Sequence, residues 1–292
     1  MSVSANEEFS HYVCRMCPEA LQRARQELHE DPDTRLLEAS TFKQRLQKVP
    51  GLNPRKDIRF LLLFLRARKF DQERAYQLAL NYFKVKVDRP DIFGDLTPSK
   101  VKGLMDAGVF EVLDKRDMFD CKVLIIRLGK WDPNHHPMLE LFRGIVLVTT
   151  KMVEDEDTQV YGLALIIDMA DVTLRHAREV TPSLARMGMQ LMQDVAPIRL
   201  KRLSFVHEPI FFDLLFTVMK PFIKNKLMGR INLLGKKTEK LQLYSDPDSL
   251  PEDLGGNMKP FSNQAWNDSF MASETQFFED NAFGFEDKKS SK

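Results

Sequence analysis

From Pro18 to about residue 96 the apolar positions recur every three or four residues, the spacing of one helix face. Leu21, Ala24 and Leu28 mark that face within 18–30, and the run from Leu36 to Leu46 repeats it. The strongest instance is 57–68, with Ile58, Leu61, Leu62, Phe64 and Leu65. Asp71 suits the N-cap of a further helix through Ala75, Leu78 and Tyr82, and Thr97-Pro98 puts proline at a first helical turn. Beyond about residue 108 the period changes. Short β-rich runs at 109–113, 122–128, 162–167, 200–206 and 230–234 alternate with helical segments at 138–153, 182–195 and 209–228. Such alternation predicts βαβ units with right-handed crossovers, hence an α/β domain with a largely parallel sheet behind an all-helical subdomain. Lys115-Arg116-Asp117 predicts an antiparallel hairpin at one sheet edge.

The segment 209–228 stands apart. At helical period its polar residues Asp213, Thr217, Lys220 and Lys224 form one narrow stripe, and nearly everything else is bulky and apolar. A surface helix buries one face; this one has enough apolar surface for a second contact. Pro221 removes a backbone donor and predicts a kink. The helix reads as a bendable lid.

Charge sharpens that reading. The whole chain is nearly neutral, with 43 basic and 42 acidic residues, which gives no general attraction to nucleic acid. Between Pro197 and Lys237, however, nine basic residues face two acidic ones, so an anionic partner is expected at this segment. The first residues lack the basic and apolar regions of a signal peptide, and no uncharged run reaches membrane-spanning length. Three cysteines make no disulfide framework. A cytoplasmic protein with transient, peripheral contact to endosomal or plasma membranes is expected.

Catalytic signatures are missing. Gly229 and Gly235 are too far apart for a phosphate-binding loop, and Lys237 stands where Ser or Thr would follow the lysine. Cys14-Arg-Met-Cys17, with His11 nearby, has zinc-knuckle spacing but no second ligand pair, and the two thiols read as part of a mobile leader. His135-His136 and His207-Glu208-Pro209 fit no metal motif, and residues 154–157 lack the alternation of a calcium loop. No catalytic residue, metal or cofactor is expected. The remaining feature is apolar volume, rich in adaptable methionines at Met187, Met189 and Met192, which favours a cavity for a water-insoluble molecule.

At this point the sequence resembles a known family. Phe64-Leu-Arg-Ala-Arg-Lys-Phe-Asp71, Glu208-Pro209, Lys220-Pro-Phe222 and Leu250-Pro-Glu-Asp-Leu-Gly-Gly256 are similar, in order and spacing, to landmarks of CRAL-TRIO lipid-binding proteins. The tocopherol carriers are the nearest branch and the retinaldehyde carriers the next. The resemblance implies a flexible leader (1–17), a helical N-terminal domain (18–96), a lipid-binding domain (97–260) with a five-stranded sheet and a gate helix, and a C-terminal helical segment with a frayed tail (261–292). It implies no catalysis.

By motif position the lipid pocket falls on Phe142, Ile145, Thr149, Leu163, Ile167 and Val180, and on Leu191, Met192, Leu200, Leu203, Phe212 and Leu215. A phosphatidylinositol bisphosphate site falls on Arg68, Arg199, Lys201, Lys226 and Arg230, and a membrane-facing gate surface on Leu174, Phe211, Leu215, Val218 and Phe222. The implied cargo is one tocopherol-, retinoid- or isoprenoid-like molecule, with Thr149 as handle for its hydroxyl or carbonyl. A monomer is expected. An adaptor that docks on phosphoinositide membranes without net lipid transfer is the alternative.

Overall fold

The computed structural model describes residues 8–259 and 262–286. Its first helices are α1 (Pro18–Arg23), extended by a π turn over Ala24–Leu28, and α2 (Arg35–Gln47), followed by a two-residue strand, β1 (Leu52–Asn53). Helices α3 (Ile58–Ala67) and α4 (Gln72–Asp88) come next. Asp57 and Asp71 cap these two, accepting the Phe60 and Arg74 amides at 3.1 and 3.0 Å. Phe42, Phe60, Phe64 and Phe83 fill the core where α2, α3 and α4 meet.

The leader is not loose over its described part, contrary to expectation; residues 1–7 lie outside the described residues. Phe9 and Met16 are buried, the Tyr12 hydroxyl donates to Glu156 at 2.7 Å, and the Cys17 sulfur caps α1 by accepting the Ala20 amide. The cause is a buried charge cluster. Arg66, with no exposed surface, donates twice to Glu30 (2.8 and 2.7 Å) and once to Gln159 (2.7 Å), with Glu156 and the Tyr12 oxygen at 3.4 and 3.3 Å. Burial disfavours its charge, but Glu30 first, then Tyr12 and Glu156, together more than offset this and hold its pKa above the usual arginine value. Leader, helical domain and α/β domain meet at this one side chain.

The sheet comprises β2 (Phe110–Val112), β3 (Lys122–Arg127), β4 (Leu163–Asp168), β5 (Leu200–Val206) and β6 (Ile231–Leu233), side by side in chain order. Strand β2 is antiparallel to β3, as the hairpin residues predict, and the other pairs are parallel. Right-handed crossovers between sequential strands put the connecting helices on one face. Those helices are α5 (Met138–Met152), α6 (Glu156–Tyr161), α7 (Leu174–Arg178), α8 (Pro182–Gln190), which runs into a π turn over Leu191–Val195, and α9 (Phe212–Met219). Leu124, Ile126, Leu165, Ile167, Leu203 and Phe205 share a core with α5, α7, α8 and α9, whereas Val160 and Tyr161 of α6 pack with Met16, Ala20, Ala24 and Leu28. The alternate residues, Val123, Ile125, Ala164, Ile166 and Val206, pack on Leu241, Leu250 and Leu254 behind the sheet.

Helices α10 (Gln264–Met271) and α11 (Glu274–Asp280) and strand β7 (Gly284–Phe285) bring the chain back to the helical domain, where β7 pairs antiparallel with β1. Arg55 grips Asp280 through two bonds of 2.9 and 2.8 Å. The expected kinked helix over 209–228 is corrected to a broken one. Pro221 sits in a 3-10 turn over Lys220–Phe222, Ile223 is extended, and one further turn follows at Asn225–Met228.

Candidate functional site

A cavity of about 500 Å³ lies between the helix-covered face of the sheet and α5, α8 and α9. Helix α5 turns one face to it along its length, through Met138, Phe142, Ile145, Thr149 and, just past its end, Val153, spaced three or four apart. Ile167 and Leu203 form part of the floor, Val180, Leu191 and Met192 one wall, and Phe212, Leu215 and Met219 the lid.

Ten of the twelve residues expected at a pocket therefore line this void. Leu163 and Leu200 do not. They face each other in the first register pair of β4 and β5, buried in the core where it is solid. Lining residues that the sequence reading missed include Leu63 and Tyr82 from the helical domain, Trp131 from the segment after β3 and His176 from α7.

The polar atoms of the wall are mostly occupied. The Thr149 hydroxyl donates to the Ile145 carbonyl one turn back, at 2.7 Å. It is left as an acceptor, able to receive a ligand hydroxyl but not to donate to a carbonyl, which narrows the expected role. The Thr173 amide donates to Nδ1 of His176 at 3.0 Å, so the ring proton sits on Nε2 and goes to the Trp131 carbonyl at 2.8 Å. Trp131 Nε1 donates to the His136 carbonyl at 2.7 Å. Tyr82 differs: its hydroxyl has no hydrogen-bond partner among the described residues, and burial pushes its pKa up to about 12. The Thr150 hydroxyl also lines the cavity without a hydrogen-bond partner among the described residues, so Tyr82 and Thr150 are the free polar handles.

The lid, helix α9 with the turn that leads into it, is two-sided. Phe212, Leu215 and Met219 line the cavity, whereas Ile210 and Leu214, four apart, stand fully and two-thirds exposed. Leu174 is also exposed, and Phe211, Val218 and Phe222 are half-buried. Leu215, expected on both the pocket and the outer gate surface, faces inward in this closed form; Ile210 and Leu214 hold the outer position.

The five expected phosphate contacts fall into two groups. Arg199 and Lys201 are bridged by the Glu27 carboxylate at 3.0 and 3.3 Å, which outweighs burial and holds that carboxyl below its usual range. Arg68, Lys226 and Arg230 have no such partner among the described residues. Burial, and then the like charges of Arg230, Arg68, Arg74 and Lys69, depress the Lys226 pKa. Lys69 and Arg74 thus belong to the same cationic cluster. Asp194, the acid nearest Arg68 in effect, pairs with Lys224.

Among the described residues no helix is long and apolar enough to cross a membrane. Comparison with known proteins now places the fold and its cavity. The CRAL/TRIO domain model matches residues 106–256. The chain is 36% identical over 267 residues to the Mus musculus alpha-tocopherol transfer protein-like protein, spanning 91% of this chain and 78% of that one. It is 33% identical over 261 residues to Xenopus laevis clavesin-1, spanning 88% and 78%. The crystal structure of Sfh5 superposes with a TM-score of 0.52 over 86% of this chain and 92% of that one, at 14% identity, a likeness of fold alone. The chain belongs to the CRAL-TRIO family of lipid-binding proteins.

Proposed function

We propose that the protein is a lipid carrier, which holds one hydrophobic small molecule in its cavity and exchanges it at phosphoinositide-containing membranes. The observation that carries this reading is α9 with the turn before it, which seals an apolar cavity with Phe212, Leu215 and Met219 while presenting Ile210 and Leu214 outward. Opening the lid in water would expose the three sealing side chains, at about 1.5–3 kcal/mol each. A bilayer that receives the apolar surface removes most of that cost, so exchange is confined to membranes. Cargo of tocopherol, retinoid or isoprenoid type suits a mostly apolar lining with two free hydroxyls, Tyr82 and Thr150, and one acceptor, Thr149. The name of the transfer-protein-like relative points the same way.

Arg68, Lys226 and Arg230, which have no carboxylate partner among the described residues, support with Lys69 and Arg74 recognition of a polyphosphorylated headgroup, each near-surface cation adding about 1 kcal/mol. The test is transfer of a fluorescent tocopherol between vesicles, with and without phosphatidylinositol bisphosphate in the acceptor. Transfer should accelerate with the phosphoinositide and slow in Lys226→Glu/Arg230→Glu. A rate indifferent to both would refute the membrane half of the proposal.

A further inference from the structure

The cavity has a second end. Helix α5 spans 15 residues, about 20 Å, and lines the void from Met138 to its close. The Met138 end lies with Trp131 and His176, beyond the strand ends from which the lid helix departs. At the other end, past Val153, the lining changes character. Exposed or half-exposed polar side chains border the void there: Arg15, Arg59, Glu154 and Gln276, with the Arg55–Asp280 pair beside them. A void bordered by exposed side chains opens to water, so this rim is a mouth separate from the apolar lid.

The charges at this mouth do not balance. Glu154 is neutralised by Lys151 at 2.7 Å and accepts from Gln276 at 3.0 Å. Asp280 is held by Arg55, and Gln159 is committed to Arg66 and to the Val153 carbonyl. The two remaining guanidinium groups have no carboxylate within 4.0 Å among the described residues. Arg59 makes one long bond to the Val13 carbonyl (3.4 Å) and lies over the Tyr12 ring, while Glu156, the acid nearest it in effect, is taken by Arg66, Tyr12 and the Arg15 amide. The Arg15 side chain has no hydrogen-bond partner among the described residues. Each guanidinium carries five N–H donors in a planar fork matched to a carboxylate or phosphate. The Tyr82 hydroxyl lines the same void without a partner.

We infer that this mouth, formed by Arg15 and Arg59 with Tyr82 inside it, takes the anionic headgroup of an amphiphilic lipid whose apolar chain runs along α5 towards Trp131. This inference rests on the lipid-carrier reading and narrows its cargo from the neutral tocopherol, retinoid or isoprenoid types to an acidic amphiphile, a long-chain carboxylate or alkyl phosphate, entering tail first.

Equilibrium binding of oleate, oleyl phosphate and methyl oleate to the full chain tests it, with Arg59→Gln, Arg15→Gln, Arg59→Lys and Leu191→Trp as variants. The anions should bind the wild type at least about tenfold more tightly than the ester, the worth of one charge-assisted bond. Arg59→Gln and Arg15→Gln should each erase much of that preference without changing ester affinity, and Arg59→Lys should restore part of it. The tighter of the two anions identifies the headgroup. Equal affinity for acid and ester, with both lost in Leu191→Trp, would overturn the headgroup inference and leave the carrier intact. Binding of all three that ignores Leu191→Trp would overturn the carrier reading itself.

Discussion

Replacing Arg66 by methionine removes the charge that joins three parts of the chain. The side chain is fully buried and makes three short bonds, two to Glu30 and one to Gln159, with Glu156 and Tyr12 in longer contact. Methionine fills much of the volume, so the loss is electrostatic. Glu30 keeps Arg35 at 2.5 Å, and Glu156 keeps the Tyr12 hydroxyl and the Arg15 amide. Two carboxylates are still left short of a partner inside the protein. Breaking one side of a buried pair costs about 3–5 kcal/mol. At about 2–4 °C per kcal/mol, that lowers the melting temperature by roughly 10 °C. Urea unfolding of wild type, Arg66→Met, Glu30→Gln and the double variant gives the coupling directly. The double variant should be more stable than the two separate losses add up to, because the orphaned charge is gone. A single variant that unfolds with the wild-type midpoint, or strict additivity, would refute the reasoning.

Leu191→Trp should fill the cavity and weaken cargo binding at least about tenfold, at an overpacking cost of about 1–3 kcal/mol in melting experiments. Ile210→Asp with Leu214→Asp should slow vesicle-to-vesicle transfer several-fold in stopped-flow fluorescence, with cargo affinity within a few-fold, because neither side chain lines the cavity. Glu27→Gln should strengthen binding to phosphoinositide vesicles several-fold in co-sedimentation by freeing Arg199 and Lys201, and high salt should abolish the gain. Burial lowers the Lys86 pKa to about 8, below its unfolded value, so between the two the unfolded chain binds more protons and stability rises with pH. Comparing urea midpoints of wild type and Lys86→Met, the wild type should gain on the order of 2–3 kcal/mol relative to the variant from pH 7 to pH 10.

Periodicity revealed the elements because each is amphipathic in a simple way. The five β-rich runs became the five strands in order, and α5 and α9 declared their apolar character in residues that now line one void. What lay outside periodicity was reach between distant segments. Tyr82 read as part of a helix face of the helical domain and Leu63 carried no signal, and nothing local says that α3 and α4 also form a cavity wall. Glu27 falls 172 positions before Arg199, so the neutralisation of two expected phosphate contacts was hidden. Leu163 and Leu200 were misplaced because alternation gives the face of a strand but not the depth at which a void begins. The two thiols of the leader read as part of a mobile segment; buried Phe9 and Met16 and hydrogen bonds to Glu156 and Asp157, which leave no periodic trace, hold its described part.

The account turns on whether a single molecule occupies the cavity. Native mass spectrometry of the gently purified protein, with extraction and identification of what is released, measures this directly. The prediction is one added mass per chain, belonging to a lipid, present in wild type and lost in Leu191→Trp. Bare protein after incubation with lipid vesicles, or an adduct that survives in Leu191→Trp, would contradict the central claim.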